Sequence, residues 1–162
     1  PHLNAFYSIY SKNCADNGAP RKPRSFFDAV WNMRCPDARI RYAFHDGALV
    51  GGLLMFGAGT SASYYTPAVD RDARKLQVLP LLIDEMATAL RDEGFRRWNW
   101  ERSPSRESGV FQFKARWGAA VSDYAVFTRV LCGESEIRRL VEDFERFRYY
   151  FVVPFEASQV RQ

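Results

Sequence analysis

Histidine and cysteine are scarce in this chain, and no apolar run is long. Only His2 and His45 stand among its 162 residues. The three cysteines, Cys14, Cys35 and Cys132, lie far apart, are odd in number and form no C-x-x-C pair. This excludes a zinc site of ordinary ligand spacing and a disulfide framework. No metal is expected, and three free thiols fit a reducing, cytoplasmic compartment. The longest apolar stretch, Ala48 to Gly59, is broken by Gly51 and Gly52 and is too short to span a bilayer. No basic-then-apolar signal stands at the start. The chain opens on Pro1 rather than Met, and we expect a piece of a longer protein. The net charge of +4 favours an anionic ligand but does not by itself argue for nucleic-acid binding.

Aromatic residues are plentiful, at 15%. They suit a well-packed core, a cleft lined by rings, or both. The length fits one domain with its own core, expected over 1–150 with a frayed tail over 151–162. Leu3, Phe6, Tyr7 and Tyr10 recur at helical spacing. Ser25 before Asp28 reads as the N-cap of a second helix carrying Phe26, Phe27, Val30, Trp31 and Met33 and stopping at Cys35-Pro36. Arg39 to Phe44 reads as a strand, Asp46-Gly47 as a tight hairpin and Leu49 to Phe56 as a buried return strand. Gly57 to Gly59 reads as a second turn and Ser61 to Val69 as a third strand. Pro80 fits the first turn of a helix whose buried face is Leu79, Leu82, Ile83, Met86 and Leu90. Gly94 ends it, and Arg96 to Trp100 is the next strand, parallel through the crossover. Gly109 to Trp117 reads as a helix, Ala120 to Leu131 as a long strand, and Gly133 to Tyr150 as an amphipathic helix.

The block from Trp98 to Ala119 carries the most chemistry. A strand running through a polar turn into a helix presents free N–H groups to an anion. Glu101, Arg102 and Ser103 stand at the C-terminal end of the strand, where ligands of α/β sheets tend to bind. Glu101 could accept a proton from an attacking amine, and Arg102 could pair with a phosphate or carboxylate. Ser108 and Gly109 frame the helix start, where a plain N-cap at Ser108 competes with an anion site. Tyr64 and Tyr65 point to opposite faces of their strand, so only one of them lines a given cleft. Tyr65 is the donor- or substrate-binding candidate. His45 beside a hairpin reads as a surface histidine. Arg21, Lys22, Arg24, Arg96 and Arg97 read as a solvated basic face.

The order helix, helix, antiparallel strands, helix, strand, helix, strand resembles the GNAT acyltransferase fold. The expected class is therefore α/β (α+β), a mixed and mostly antiparallel sheet flanked by helices. Phe26-Phe27, His45-Asp46-Gly47, Tyr64-Tyr65, the turn before Leu81-Leu82, and the Phe113-Lys114 and Trp117-Gly118-Ala119 steps resemble the FemAB-like branch. The resemblance covers roughly residues 3 to 131. Such proteins contain two GNAT-like halves, and this chain resembles the C-terminal one, which implies an N-terminal GNAT-like half as partner.

The resemblance implies transfer of an acyl or aminoacyl group to an amine. The donor would be acyl-CoA or aminoacyl-tRNA, RNA entering only in that form. The acceptor would be a cell-wall or exopolysaccharide precursor. It also implies that Lys114 stands at the reaction centre, where a cation stabilises the oxyanion. The competing reading is a solvated lysine on a helix whose Val110, Phe113 and Trp117 face the core. Arg74 to Pro80, with Gln77 as a donor-binding candidate, occupies the place of the GNAT pyrophosphate loop. It holds no glycine, and Pro80 lacks an N–H. This departure supports the alternative of a non-catalytic scaffold or binding half. An RNA-binding domain is a third, weaker reading.

Overall fold

A computed structural model describes residues 2–32, 37–103, 105–125, 131, 133 and 136. The chain forms two compact units: Pro1–Asn17 with Arg21–Ser103, and Gly18–Pro20 with Pro104–Gln162.

In the first unit, helix α1 spans His2–Asp16 and buries Leu3, Phe6, Ile9, Tyr10 and Cys14, the one-sided pattern of a helix lying on a core. Helix α2, Arg24–Asn32, starts one residue before the expected cap. Ser25 lies inside it, because the Pro23 carbonyl accepts the Phe26 N–H at 3.1 Å and Arg24 pairs with Asp28 at 2.9 Å, closing the first turn without a serine cap. Of its apolar residues only Phe27 is buried, and Trp31 is exposed. The expected stop at Cys35-Pro36 lies outside the described residues, as does Met33.

Strands β1 (Ala38–His45), β2 (Ala48–Ala58) and β3 (Ser61–Val69) form an antiparallel meander, and β4 (Arg97–Asn99) adds to β3 in parallel. Asp46 and Gly47 both take positive φ, 49° and 78°, as a two-residue hairpin loop of the primed type requires. The second turn is Gly59-Thr60, not Gly57 to Gly59. Gly57 stays in β2, where its N–H donates to the Asp37 carbonyl at 2.6 Å. Helix α3, Val78–Asp92, is the crossover that makes the β3–β4 pair parallel. Its buried face is Val78, Leu82, Ile83, Met86 and Leu90, with Val78 in the role expected of Leu79. Strand β4 is shorter than Arg96 to Trp100, because Arg96 and Arg97 both direct their N–H groups to the Thr60 carbonyl.

Two adjacent glycines set the layers. A Cβ on Gly52 would stand 2.7 Å from the Phe6 ring of α1, and one on Gly51 would stand 2.9 Å from the Val78 side chain of α3. Neighbouring strand residues point to opposite faces, so α1 and α3 cover opposite sides of β2. A bulge at Leu54/Met55 leaves Tyr65 without a register partner. Asn13 ties α1 to the end of β3, its side chain bonding both the N–H and the C=O of Val69 at 3.0 Å. Phe6, Phe27, Leu53, Leu54, Met55, Ile83 and Leu90 are fully buried, each contributing roughly 1.5–3 kcal/mol by removal from water.

In the second unit, helix α4 spans Gly109–Arg116, and the Ser108 hydroxyl accepts the Phe111 N–H at 3.2 Å as its N-cap. Residues 119–125 carry no strand, against the expected strand from Ala120. The continuation over 126–130, nearly all of the expected last helix and the tail lie outside the described residues.

Replacing Gly52 by valine should destabilise the first unit by about 1–3 kcal/mol, the usual cost of overpacking a filled core. Urea unfolding checks this, and an unchanged midpoint would contradict the two-sided closure on β2.

Candidate active site

Strand β4 ends at Asn99, the register partner of Ser63 in β3. Two residues later the backbone of Glu101 takes φ 57°, a left-handed conformation that costs a non-glycine residue roughly 1–2 kcal/mol. Asn99 holds that turn from both ends. Its side-chain oxygen accepts the Glu101 N–H at 2.9 Å, and its amide donates to Glu101 Oε1 at 3.1 Å. The Ser63 hydroxyl donates to the same oxygen in a short hydrogen bond. The Glu101 carboxylate is thus exposed yet fixed by donors from two strands.

The register fixes which face this carboxylate occupies. Phe56 is the partner of Ser63 across β2 and β3, and Asn99 is its partner across β3 and β4, so these side chains share a face. The Tyr65 ring meets Phe56 at 4.8 Å and Phe26 of α2 at 6.0 Å, which puts Tyr65 on the same face. Tyr64 takes the other face, beside Trp98 and Trp100 at 6.4 and 5.3 Å. Burial pushes its hydroxyl well above the usual phenol range. The expected split of the two tyrosines therefore holds, and Tyr65 is the member on the face of Ser63, whose hydroxyl bonds Glu101.

The Lys22 ammonium stands over the Tyr65 ring, 4.8 Å from its centroid, and 5.9 Å from that of Tyr10. Burial lowers the Lys22 pKa. The Tyr10 hydroxyl, which accepts the Lys22 backbone N–H at 2.9 Å, is pushed up by burial and then by its hydrogen bond with Cys14. Cys14 is a buried free thiol; Cys35 and Cys132 lie outside the described residues.

The other candidates are placed as follows. Arg102 is exposed and Ser103 half-buried, in irregular backbone after Glu101. Gln77 is exposed and precedes α3 with φ 55°, ψ 35°. It adopts the corner that a glycine would favour, and its carbonyl accepts the Leu81 N–H at 3.2 Å. Val78 and Leu79 hold the N–H groups of the first turn, and Pro80 has none. In the second unit, Ser108 does the N-cap's work and Gly109 opens α4, where a Cβ would meet nothing within 4 Å. Lys114 reverses its bland expectation. It is 7% exposed, the one buried residue of α4, while Val110 and Trp117 are 50% and 37% exposed. His45 lies on the hairpin, exposed and 3.5 Å from Asp46. Arg21, Arg96 and Arg97 are exposed, as expected of a solvated face.

Ser63, Asn99 and Lys22 stand at this candidate site, and sequence reasoning did not select them as site residues. Asn99 two positions before Glu101 is a local signal, since such side chains bond the backbone two residues on. Ser63 becomes visible only through the β3–β4 register. Among the described residues no group of three or more His, Cys, Asp or Glu could hold a metal, and no helix is long and apolar enough to cross a membrane.

Comparisons with known proteins agree with this architecture. A possible acetyltransferase from Clostridium difficile 630 superposes with a TM-score of 0.67 at 8% identity, over 81% of this chain and 92% of that one. AAC(6')-Iy in complex with the bisubstrate analogue CoA-S-monomethyl-acetylneamine gives 0.62 at 17% identity, over 81% and 92%. A ribosomal-protein-alanine N-acetyltransferase from Brucella melitensis biovar Abortus 2308 gives 0.57 at 17% identity, over 80% and 93%. At such identities the likeness speaks for the fold. No curated protein matched. The model of the acetyltransferase (GNAT) domain matches residues 2–115, well over half of the chain. With the meander, the crossover helix and the parallel fourth strand already in place, that match settles the family: the chain belongs to the GNAT acetyltransferase domains.

Proposed function

We propose that the chain is an N-acetyltransferase that moves an acetyl group from acetyl-CoA to an amine acceptor, with Glu101 as proton acceptor. The observation that carries this reading is the clamp of Ser63 and Asn99 on the Glu101 carboxylate at the end of β4. A carboxylate strained into one position by donors from two strands is an outlier of the kind that marks functional sites. Family membership supplies the reaction type, since GNAT domains acylate amines.

The chemistry balances simply. The amine nitrogen attacks the thioester carbonyl, the N–C bond forms and the C–S bond breaks. The proton of the attacking amine passes to Glu101, the sulfur leaves as the CoA thiolate, and return of that proton to the sulfur, directly or through water, gives the free CoA thiol and restores the Glu101 carboxylate. Lys114, kept from solvent in α4, is the candidate for stabilising the oxyanion of the tetrahedral intermediate.

The chain's own residues fit the donor. The N-terminus of α3 offers the Val78 and Leu79 N–H groups and the positive end of the helix dipole to a pyrophosphate. Arg74 and Lys75 lie exposed in the single 3-10 turn just before it. The glycine expected of such a loop is replaced by Gln77 in the left-handed corner. Arg102, Ser103, Ser108, Gly109 and Tyr65 stay with the proposed binding residues.

The missing glycines favour a second reading. In it the chain is a FemAB-like half that takes aminoacyl-tRNA and serves a cell-wall or exopolysaccharide precursor, or a half that binds no donor. Discharge of acetyl-CoA by the chain, with aminoacyl-tRNA left intact, would exclude it.

The test is release of CoA thiol from acetyl-CoA in the presence of an amine panel. Glu101→Gln should lower kcat/KM about 10²–10⁴-fold, the range for a positioned acid or base. Lys114→Met, which keeps the side-chain volume, should lower kcat about 10²–10³-fold with little change in KM, as for loss of one oxyanion donor. Wild-type turnover in either variant removes that residue from the mechanism. Ser63→Ala and Asn99→Ala act through Glu101. Each should lower kcat about ten-fold at unchanged KM for acetyl-CoA, and the same changes in a Glu101→Gln background should add little, the non-additivity of coupled residues. Full additivity would contradict the clamp.

A further inference from the structure

Lys22 is a half-buried cation held by its backbone and by two rings. Its backbone is fastened on both sides, the N–H to the Tyr10 hydroxyl at 2.9 Å and the carbonyl by the Tyr7 hydroxyl at 3.3 Å. Its ammonium rests over Tyr65 and Tyr10. Arg24, Arg39 and Arg41 each pair with a carboxylate, on Asp28, Glu93 and Glu85 respectively. Among the described residues Lys22 makes no such pair. Ring faces favour the charged form of an amine while half-burial disfavours it, so an anion brought beside Lys22 would complete the site.

Its position gives that cation a use. Tyr65, beneath Lys22, and Ser63, which donates to Glu101, are two positions apart in β3 and on one face. That face therefore presents a fixed anion, Glu101, held through Ser63, and a cation, Lys22, resting on the Tyr65 ring two positions along the same strand. A molecule complementary to both carries an amine at one end and an acid at the other. We propose that Lys22 is a specificity residue for the acceptor, and that the acceptor class is a zwitterion whose amine faces Glu101 and whose carboxylate faces Lys22.

This inference rests on the acetyl-transfer reading for the role of the amine, and its test separates the two. The probes are ω-amino acids from glycine to aminohexanoate and their primary amides, which differ only in the charge at the far end. Binding to the full chain is measured by calorimetry without donor, and turnover is measured with acetyl-CoA.

At one or more chain lengths the acid should bind about ten-fold more tightly than its amide, the scale of one well-placed charge pair. Lys22→Met should bring the two within about two-fold by weakening the acid alone, and Lys22→Arg should keep the preference. Equal binding of acid and amide at every length, no binding of any acid, or a preference that survives in Lys22→Met overturns the inference. Should Lys22→Met lower the melting temperature, the wild-type comparison of acid with amide still decides. A preference for the acids with no transfer from acetyl-CoA to any of them would sink the transferase reading and leave Lys22 as a carboxylate-binding residue.

Discussion

The first unit depends on two missing side chains. Gly51 and Gly52 let a helix settle on each face of β2, with Val78 on one and Phe6 on the other, at distances that a Cβ would not allow. Close approach on both faces buries Leu53, Leu54 and Met55 completely. It also gives the apolar faces of α1 and α3 their partner, so two helices and three strands share one core. Packing at interior density tolerates little added volume, and the sheet's central strand is where that tolerance is smallest.

The site follows from what β3 does next to that core. With Tyr65 bulged out of register, Tyr64 goes under the tryptophans of the α3 face and Tyr65 goes to the α1–α2 face. Ser63 and Asn99 then meet across a parallel pair only three residues long, and the chain turns sharply at Glu101. The strain of that turn and the three hydrogen bonds that hold it belong together. A glycine at this position would relax the turn but supply no carboxylate. The opposite substitution of roles occurs before α3, where Gln77 takes a corner that a glycine would occupy without strain.

Most of the fold was legible because its signals are local. The Asp46-Gly47 turn, the alternation through Ser61 to Val69, Pro80 in the first turn of α3 and Ser108 as a cap each depend on a few neighbouring residues. Other elements turn on contacts that the residue pattern does not display, near or far along the chain. Ser25 looked like a cap until the Pro23 carbonyl and the Arg24–Asp28 pair closed the turn ahead of it. Gly57 looked like a turn until Asp37 drew its N–H into the sheet. Glu101 and Tyr65 could be selected by type and strand position. Ser63 and Lys22 could not, since a register and a ring contact between segments far apart in the chain give them their meaning. Lys114 was selected by resemblance alone, and its burial beside an exposed Val110 could not be read from helical spacing.

The central claim is that a GNAT domain with no glycine before α3 still receives acetyl-CoA at that helix start and uses the clamped Glu101 for the proton. Backbone amide chemical-shift mapping of the full chain titrated with acetyl-CoA tests it most directly. The account predicts saturable shifts at Val78 and Leu79, and at Asn99 and Glu101 when an amine acceptor is then added. Saturation with acetyl-CoA that leaves Val78 and Leu79 unmoved, or no binding at all, would contradict it.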